Sequence, residues 1–197
     1  MSRQSGMSAQ LSEVRGDGNT LVVPFARPRA RPEKALQYQL NVVAGDVAEV
    51  VSGIGGWLFD RAMAGWQVSV AAGEDGDQRA LRILGLKAVG LEGLWQPADA
   101  DSVAMTVICA SRLESDDHGL FWRSARADVV FAGAHGADGL GGAMERVQYR
   151  PSAAALAFKS HALVVTGADP GSADGVETLF RGERSAGLLD ADLVSGC

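Results

Sequence analysis

Cysteine is scarce in this chain: two occur in 197 residues, Cys109 within an apolar run and Cys197 at the last position. Their number and spacing fit neither a disulfide framework nor a cysteine metal site. Histidine is also scarce, with three residues, and none has a second histidine at a spacing typical of zinc ligands. The sequence therefore predicts no metal, and Cys109 is interpreted as a small core residue.

Long apolar runs are also missing. No window approaches the ~20 continuous apolar residues that a membrane-spanning helix requires. The segment before Arg15 has no apolar stretch of signal-peptide length. The sequence therefore predicts a cytoplasmic location and no membrane partner.

Basic residues are outnumbered, with 18 Lys and Arg against 24 Asp and Glu and a net charge of -6. A negative net charge opposes phosphate backbones, so nucleic acid is not expected as a partner. The segment 27–34 carries four basic charges, but prolines interrupt it and no aromatic residues are interleaved. It is interpreted as a solvated linker.

Apolar residues make up 47% of the chain, which is enough for a core. They are concentrated between Leu36 and Val165, whereas the two ends are rich in Gly, Ser, Asp, Arg and Pro. We therefore predict a single domain over residues 33–166, with flexible, disordered tails at 1–32 and 167–197.

Strand and helix patterns alternate along this domain. Apolar and β-branched runs predict strands at 39–44, 67–72, 87–91, 127–132 and 147–149. Apolar residues at helical spacing predict helices at 46–64, 77–84 and 151–163. The segment 103–113 fits both patterns, and helix is preferred there over strand. The alternation predicts an α/β fold: an open, mainly parallel Rossmann-like sheet flanked by helices.

A glycine run in the first predicted helix is the pattern nearest to a nucleotide site. If Gly53, Gly55 and Gly56 formed a turn between a strand and a helix, their backbone would approach a pyrophosphate. Glu74 or Asp75, about 20 residues later, would then bind a ribose. This hypothesis makes a nucleotide-type small molecule the cofactor or ligand.

The competing interpretation is one helix whose small residues pack close to the sheet. Leu58 replaces the third glycine of the dinucleotide fingerprint. Asp46, with Glu49 three positions later, is a capping pattern that starts the helix before the glycines. An unbroken helix from Asp46 to Ala64 would leave no phosphate turn.

Two resemblances extend the glycine run. The sequence Gly-Gly-Trp-Leu-Phe-Asp-Arg at 55–61, with Ala-Gly-Trp at 64–66 and Leu-Arg-Ile-Leu-Gly at 81–85, resembles a family of uncharacterised proteins from high-GC bacteria. That resemblance implies an intact bacterial cytoplasmic fold and no particular activity. The glycines and the strand after them also resemble the first Rossmann half of glycosyltransferases, over about 45 residues. This second resemblance implies a sugar nucleotide as ligand, although the chain is too short for the second half.

Aromatic and charged residues of the same helix suggest an interaction surface. Asp60 and Arg61 lie between Trp57 and Trp66, where either a partly buried ion pair or a guanidinium stacked on an indole ring is expected. Tryptophan beside arginine is typical of protein-binding hot spots. The competing interpretation places these tryptophans in the core or at its edge.

The histidines give one candidate for ligand contact or acid–base chemistry. His135 lies in a glycine-rich loop after a predicted strand, where α/β proteins place binding loops, but no serine or cysteine nucleophile motif accompanies it. His118 follows acidic residues at 114–117, in a segment interpreted as a solvated loop. Lys159 and His161 are assigned to the polar face of the last helix.

Two functions remain open. The preferred one is a non-catalytic cytoplasmic binding or regulatory module for a protein partner, because recognisable catalytic motifs are missing. The alternative is a small enzyme or sensor that depends on a nucleotide or nucleotide sugar. A thermal-shift screen with nucleotides separates the two, because a ligand that binds the folded state raises the melting temperature.

Overall fold

The computed structural model describes residues 37–73, 76–94, 102–114, 128–133, 144–182 and 194–195. The chain divides into two units between Glu33 and Lys34, and every described residue belongs to the second unit. Among these residues, no helix combines the length and hydropathy of a membrane-spanning segment. The predictions for Glu74, Asp75 and His135 fall outside the described residues and stay predictions.

Strands and helices alternate along the described residues. In chain order they are β1 (Gln37–Val43), α1 (Val47–Met63), β2 (Gln67–Ala71), α2 (Arg79–Ile83), β3 (Lys87–Ala88), α3 (Leu91–Leu94), β4 (Ser102–Cys109), α4 (Ala110–Glu114), β5 (Asp128–Ala132), β6 (Met144–Tyr149), α5 (Ala153–Val165), a 3₁₀ turn (Pro170–Ser172), β7 (Glu177–Gly182) and β8 (Val194–Ser195).

The strands form one sheet in the order β3-β2-β1-β4-β5-β7-β6-β8. The first five strands in this order pair in parallel. The last three pair antiparallel. The α/β prediction with an open, mainly parallel sheet is confirmed, and the antiparallel part is an addition to it.

The core lies between this sheet and the helices α1, α2 and α5. Alternate residues of β1 point to opposite faces, and Leu40, Val42 and Ala44 all join the larger core cluster. Val43 lies on the other face with Ala71 and joins a smaller cluster. Strands buried on both faces explain the nearly continuous apolar runs of the parallel part.

The helix prediction for 103–113 is wrong. Residues 102–109 form β4, which pairs with β1 on one side and β5 on the other, and only the short α4 follows it. Met105 and Val107 are almost fully buried. A central strand accommodates β-branched residues on both faces, and this tertiary packing outweighs the helical spacing.

The boundary of the predicted C-terminal tail also differs from the structure. Residues 177–182 form β7, which lies inside the sheet between β5 and β6. Leu179 of this strand is fully buried in the core. Composition hides the strand, because its apolar residues are few and stand between glycine-rich and charged segments.

A buried ion pair links β7 to α5. The Lys159 ammonium donates to Glu177 Oε1 at 2.6 Å, with side-chain exposures of 0% and 1%. The assignment of Lys159 to a polar helix face is therefore wrong. The sequence gives no local sign of this burial, because the partner carboxylate comes from a strand that was predicted as tail.

Candidate functional site

The strand order reverses between β1 and β4. From β1 the chain moves outwards through β2 to β3, and it then returns to β4 on the opposite side of β1. In open α/β sheets, ligands bind outside the carboxyl ends of the strands at such a switch point. The segments that follow β1 and β4, around Gly45 and Ser111, therefore form the candidate functional site.

A carboxylate on α1 joins the two strand ends. Glu49 Oε1 accepts from the Ser111 backbone N–H at 3.0 Å. Glu49 Oε2 accepts from the Gly45 backbone N–H at 3.0 Å and from the Ser111 hydroxyl. The Gly45 N–H also lies 2.9 Å from Ser111 Oγ. We call this group, Gly45, Glu49 and Ser111, the clasp.

Local sequence positions the clasp. Asp46 is the N-cap of α1, and its Oδ1 accepts from the Glu49 N–H at 2.7 Å, which fixes the first helical turn. Glycine is required before it, since a Cβ at Gly45 would lie 2.5 Å from Ser111 Oγ. Arg112 adds a further tie by donating to the Ala44 carbonyl at 3.0 Å.

The clasp leaves little free chemistry at this edge. Both Glu49 oxygens are occupied by donors, which makes the carboxylate a poor base or metal ligand as it stands. Cys109 is buried beneath it, and burial raises the pKa of this thiol far above its usual value, so the reactive thiolate is suppressed. Within the described ranges, no group of three His, Cys, Asp or Glu residues is arranged to hold a metal ion.

Glu49→Ala is expected to lower the free energy of unfolding by about 1–3 kcal/mol, because the part-buried donors of Gly45 and Ser111 lose their acceptor. Ser52→Ala is the matched control on the same helix. The Ser52 hydroxyl is exposed and bonds only carbonyls of its own helix, so its loss should change stability by less than about 0.5 kcal/mol. Urea unfolding followed by circular dichroism measures both values, and equal effects would contradict a structural clasp.

The predicted glycine site is not formed. Gly53, Gly55 and Gly56 lie inside the helix α1, which runs from Val47 to Met63. The pyrophosphate hypothesis requires these glycines in a turn between a strand and a helix. The capping pattern at Asp46 explains why the helix begins upstream of the glycines. The turn that the nucleotide hypothesis requires is therefore not formed by these residues.

The predicted interaction residues form an internal stack. The Arg61 guanidinium lies 5.7 Å from the Trp57 ring centroid and 5.4 Å from that of Trp66, and Tyr38 packs on Trp66 at 5.1 Å. Trp57 is fully buried and Arg61 is 8% exposed. The stacking prediction is correct, but these two side chains belong to the interior and offer no free surface to a partner.

Asp60 ties α1 to the start of α5. Its carboxylate accepts from the Tyr149 hydroxyl at 2.8 Å and from the Ser152 N–H and hydroxyl at 2.9 and 2.7 Å. Ser152 is itself the N-cap of α5. These bonds give Asp60 a structural role at the entry of that helix.

Sequence reasoning missed Ser111 and Gly45. Glu49 was recognised only as part of a capping pattern, although its side chain also crosses to the neighbouring strand end. The available signal was topological: a carboxylate just after β1 and a hydroxyl just after β4 meet only if 102–109 is a strand beside β1. The helix prediction for that segment removed the signal.

No family model matches the chain, and none of the curated proteins matches it in sequence. Three solved structures are similar. A triple mutant of a deacetylase in the teicoplanin biosynthetic pathway has a TM-score of 0.51 and 14% identity, over 73% of this chain and 97% of that one. The zinc-inhibited form of teicoplanin deacetylase has a TM-score of 0.47 and 12% identity, over 68% of this chain and 84% of that one. A deacetylase–bog complex from the same pathway has a TM-score of 0.48 and 13% identity, over 74% of this chain and 99% of that one.

The first of these likenesses shows a common fold and nothing finer, because the identity is low. The structure with a TM-score of 0.51 is a deacetylase, and the glycosyltransferase resemblance is not confirmed. The chain is thus similar in fold to a deacetylase of teicoplanin biosynthesis.

Proposed function

We propose that the chain is a non-catalytic binding protein that takes a small polar molecule at the carboxyl edge of its sheet, between β1 and β4. The place of binding is supported by the reversal of strand order between β1 and β4, and the role without catalysis is supported by the clasp. Three donors from Gly45 and Ser111 engage both carboxylate oxygens of Glu49. A general base must lie within hydrogen-bond reach of the proton that it abstracts, and both Glu49 oxygens are directed at Gly45 and Ser111.

A deacetylase-like hydrolase is the second candidate. It is favoured by the fold likeness to the teicoplanin-pathway deacetylase, which extends over 97% of that chain. Hydrolysis of an acetamide needs an activated water, and Glu49 would have to leave Ser111 to serve as its base. The two candidates therefore differ in whether the clasp opens during function.

An amine-release assay separates them. The purified chain is incubated with N-acetylglucosamine and other N-acetylated compounds, with and without added zinc, and free amine is detected by fluorescence. We expect no release above the protein-free background. The same compounds are tested by thermal shift, where a compound that binds the folded state raises the melting temperature by mass action.

Glu49→Gln is the diagnostic variant. Amine release by the wild-type chain that disappears in Glu49→Gln would establish the hydrolase and overturn the proposal. A thermal shift without amine release supports it. Ser52→Ala, which alters the exposed face of the same helix, must behave as the wild-type chain in both assays.

A further inference from the structure

Two backbone N–H groups in the middle of helix α1 donate to a side chain from another element, Glu177 of β7. The N–H groups of Gly56 and Trp57 donate to the two carboxylate oxygens of Glu177 at 2.8 and 2.7 Å. In a regular helix these donors would bond the carbonyls of Ser52 and Gly53, four residues earlier. Glu177 therefore gives these two N–H groups an acceptor from outside the helix, and a side chain that enters the hydrogen-bond ladder is a recognised cause of helix bending.

Glycines surround the point of insertion. Gly55 and Gly56 are buried, and a Cβ at Gly56 would lie 2.8 Å from carbon atoms of Pro151 and 3.0 Å from Glu177 Oε1. Gly53, by contrast, has no heavy atom within 4 Å of such a Cβ, so contact does not account for it. Its other property is backbone freedom, which a point of bending uses.

Lys159 holds the inserted carboxylate in place. Its ammonium donates to Glu177 Oε1, the same oxygen that accepts from the Gly56 N–H. The cation and the two amide donors together engage both oxygens of the buried carboxylate. If Glu177 withdraws, the two amides can return to carbonyls of their own helix. The backbone donors therefore have an acceptor in either arrangement, which is the condition for a hinge at this point.

We propose that the glycine run of α1 is a hinge, and that the Glu177–Lys159 pair latches it and so positions Glu49 in the clasp. Glu49 precedes Gly56 by seven residues, or about 10.5 Å along a helix at 1.5 Å per residue. Bending at the hinge moves that first segment of α1 relative to Ser111, which belongs to a different strand connection. Glu177 is then a positioning residue that acts through α1.

The test uses Lys159→Met with Glu177→Gln, which removes both charges and keeps the side-chain lengths. The amide of the glutamine presents a donor where one helix N–H needs an acceptor, which favours withdrawal from the ladder. We expect the Gly45 and Ser111 amide resonances to shift, and their hydrogen-exchange protection to fall at least about tenfold relative to global opening. The matched control is Glu145→Gln with Arg181→Met, which removes the more exposed pair between β6 and β7.

Unchanged Gly45 and Ser111 amides in a folded double variant would overturn the hinge. If that variant does not fold, native-state amide hydrogen exchange of the wild-type chain tests the hinge instead. The hinge predicts that amides of Gly45, Gly56 and Ser111 exchange together in one opening below the global unfolding energy. Three separate exchange energies would overturn it. No ligand enters either measurement, so its outcome is independent of the proposed function.

Discussion

Lys159→Met should lower the free energy of unfolding at pH 7 by about 3–5 kcal/mol, because it leaves the Glu177 carboxylate buried without its cation. The two side chains are 0% and 1% exposed, so water cannot replace the lost partner. Adding Glu177→Gln to this variant should restore part of the loss, since the neutral pair carries no unpaired charge, although the glutamine N–H faces one helix N–H. Urea unfolding of the four members of this cycle measures the effect.

The loss should also depend on pH. Burial raises the pKa of Glu177 above the ordinary 4.5, against the opposing effects of Lys159 and the two backbone donors. Without Lys159, the effects that lower the pKa of Glu177 weaken. In the folded variant, Glu177 therefore binds a proton at a higher pH than it does in the unfolded chain. Stability from this group is then present below about pH 4.5 and is lost as pH rises through the folded pKa. Lys159→Met should accordingly be less destabilising at pH 5 than at pH 7.

Two outcomes would contradict this account. A loss under about 1 kcal/mol for Lys159→Met would place the pair among solvent-exposed ion pairs. A loss that grows as the pH falls would show that Glu177 has a lowered pKa. Glu145→Gln is the control, because its partner Arg181 lies on the neighbouring strand and the Glu145 side chain is 46% exposed, so about 1 kcal/mol is the upper limit there.

Gly56→Ala and Gly53→Ala should change stability in opposite directions. A methyl group at Gly56 meets Pro151 at 2.8 Å, and overpacking of this kind costs about 1–3 kcal/mol. At the exposed Gly53 nothing lies within 4 Å of the new Cβ, so alanine should add about 0.5–1 kcal/mol through its higher helix propensity. Thermal unfolding of the two variants tests both signs in one experiment.

Equal effects of the two alanines would contradict the close approach of α1 to Pro151. A destabilising Gly53→Ala would show that position 53 needs a conformation closed to alanine. The pair also tests the nucleotide hypothesis in another way. A phosphate turn would make both glycines sensitive to substitution, whereas a helix distinguishes them by their neighbours.

Local patterns were sufficient to predict much of the fold. The cap at Asp46, the apolar spacing after it and the β-branched runs predicted α1, β1 and β2, because each element is encoded by consecutive residues. The same reasoning failed where two patterns overlapped, as in β4. There the deciding factor was pairing with β1 and β5, which no local window contains.

The candidate site was only partly predictable. Glu49 stood out as a capping residue, but its partner Ser111 is 62 positions away. Lys159 and Glu177 were missed as a pair, because burial of a charge cannot be inferred before its counter-charge is placed. The aromatic stack around Arg61 was one of two arrangements predicted from residue type, and the burial of Trp57 agrees with the interpretation that placed the tryptophans in the core or at its edge.

The position of β7 has a consequence for how the chain folds. β5 and β6 are consecutive strands of the described sheet, yet the strand between them in space is the later β7. During synthesis, β5 and β6 are made before β7. The edges of β5 and β6 that face each other therefore stay unpaired until β7 is available. Unpaired edges are templates for association with other chains, and contacts between distant segments form slowly. The facing edges of β5 and β6 are therefore open to association with other chains until β7 is inserted between them.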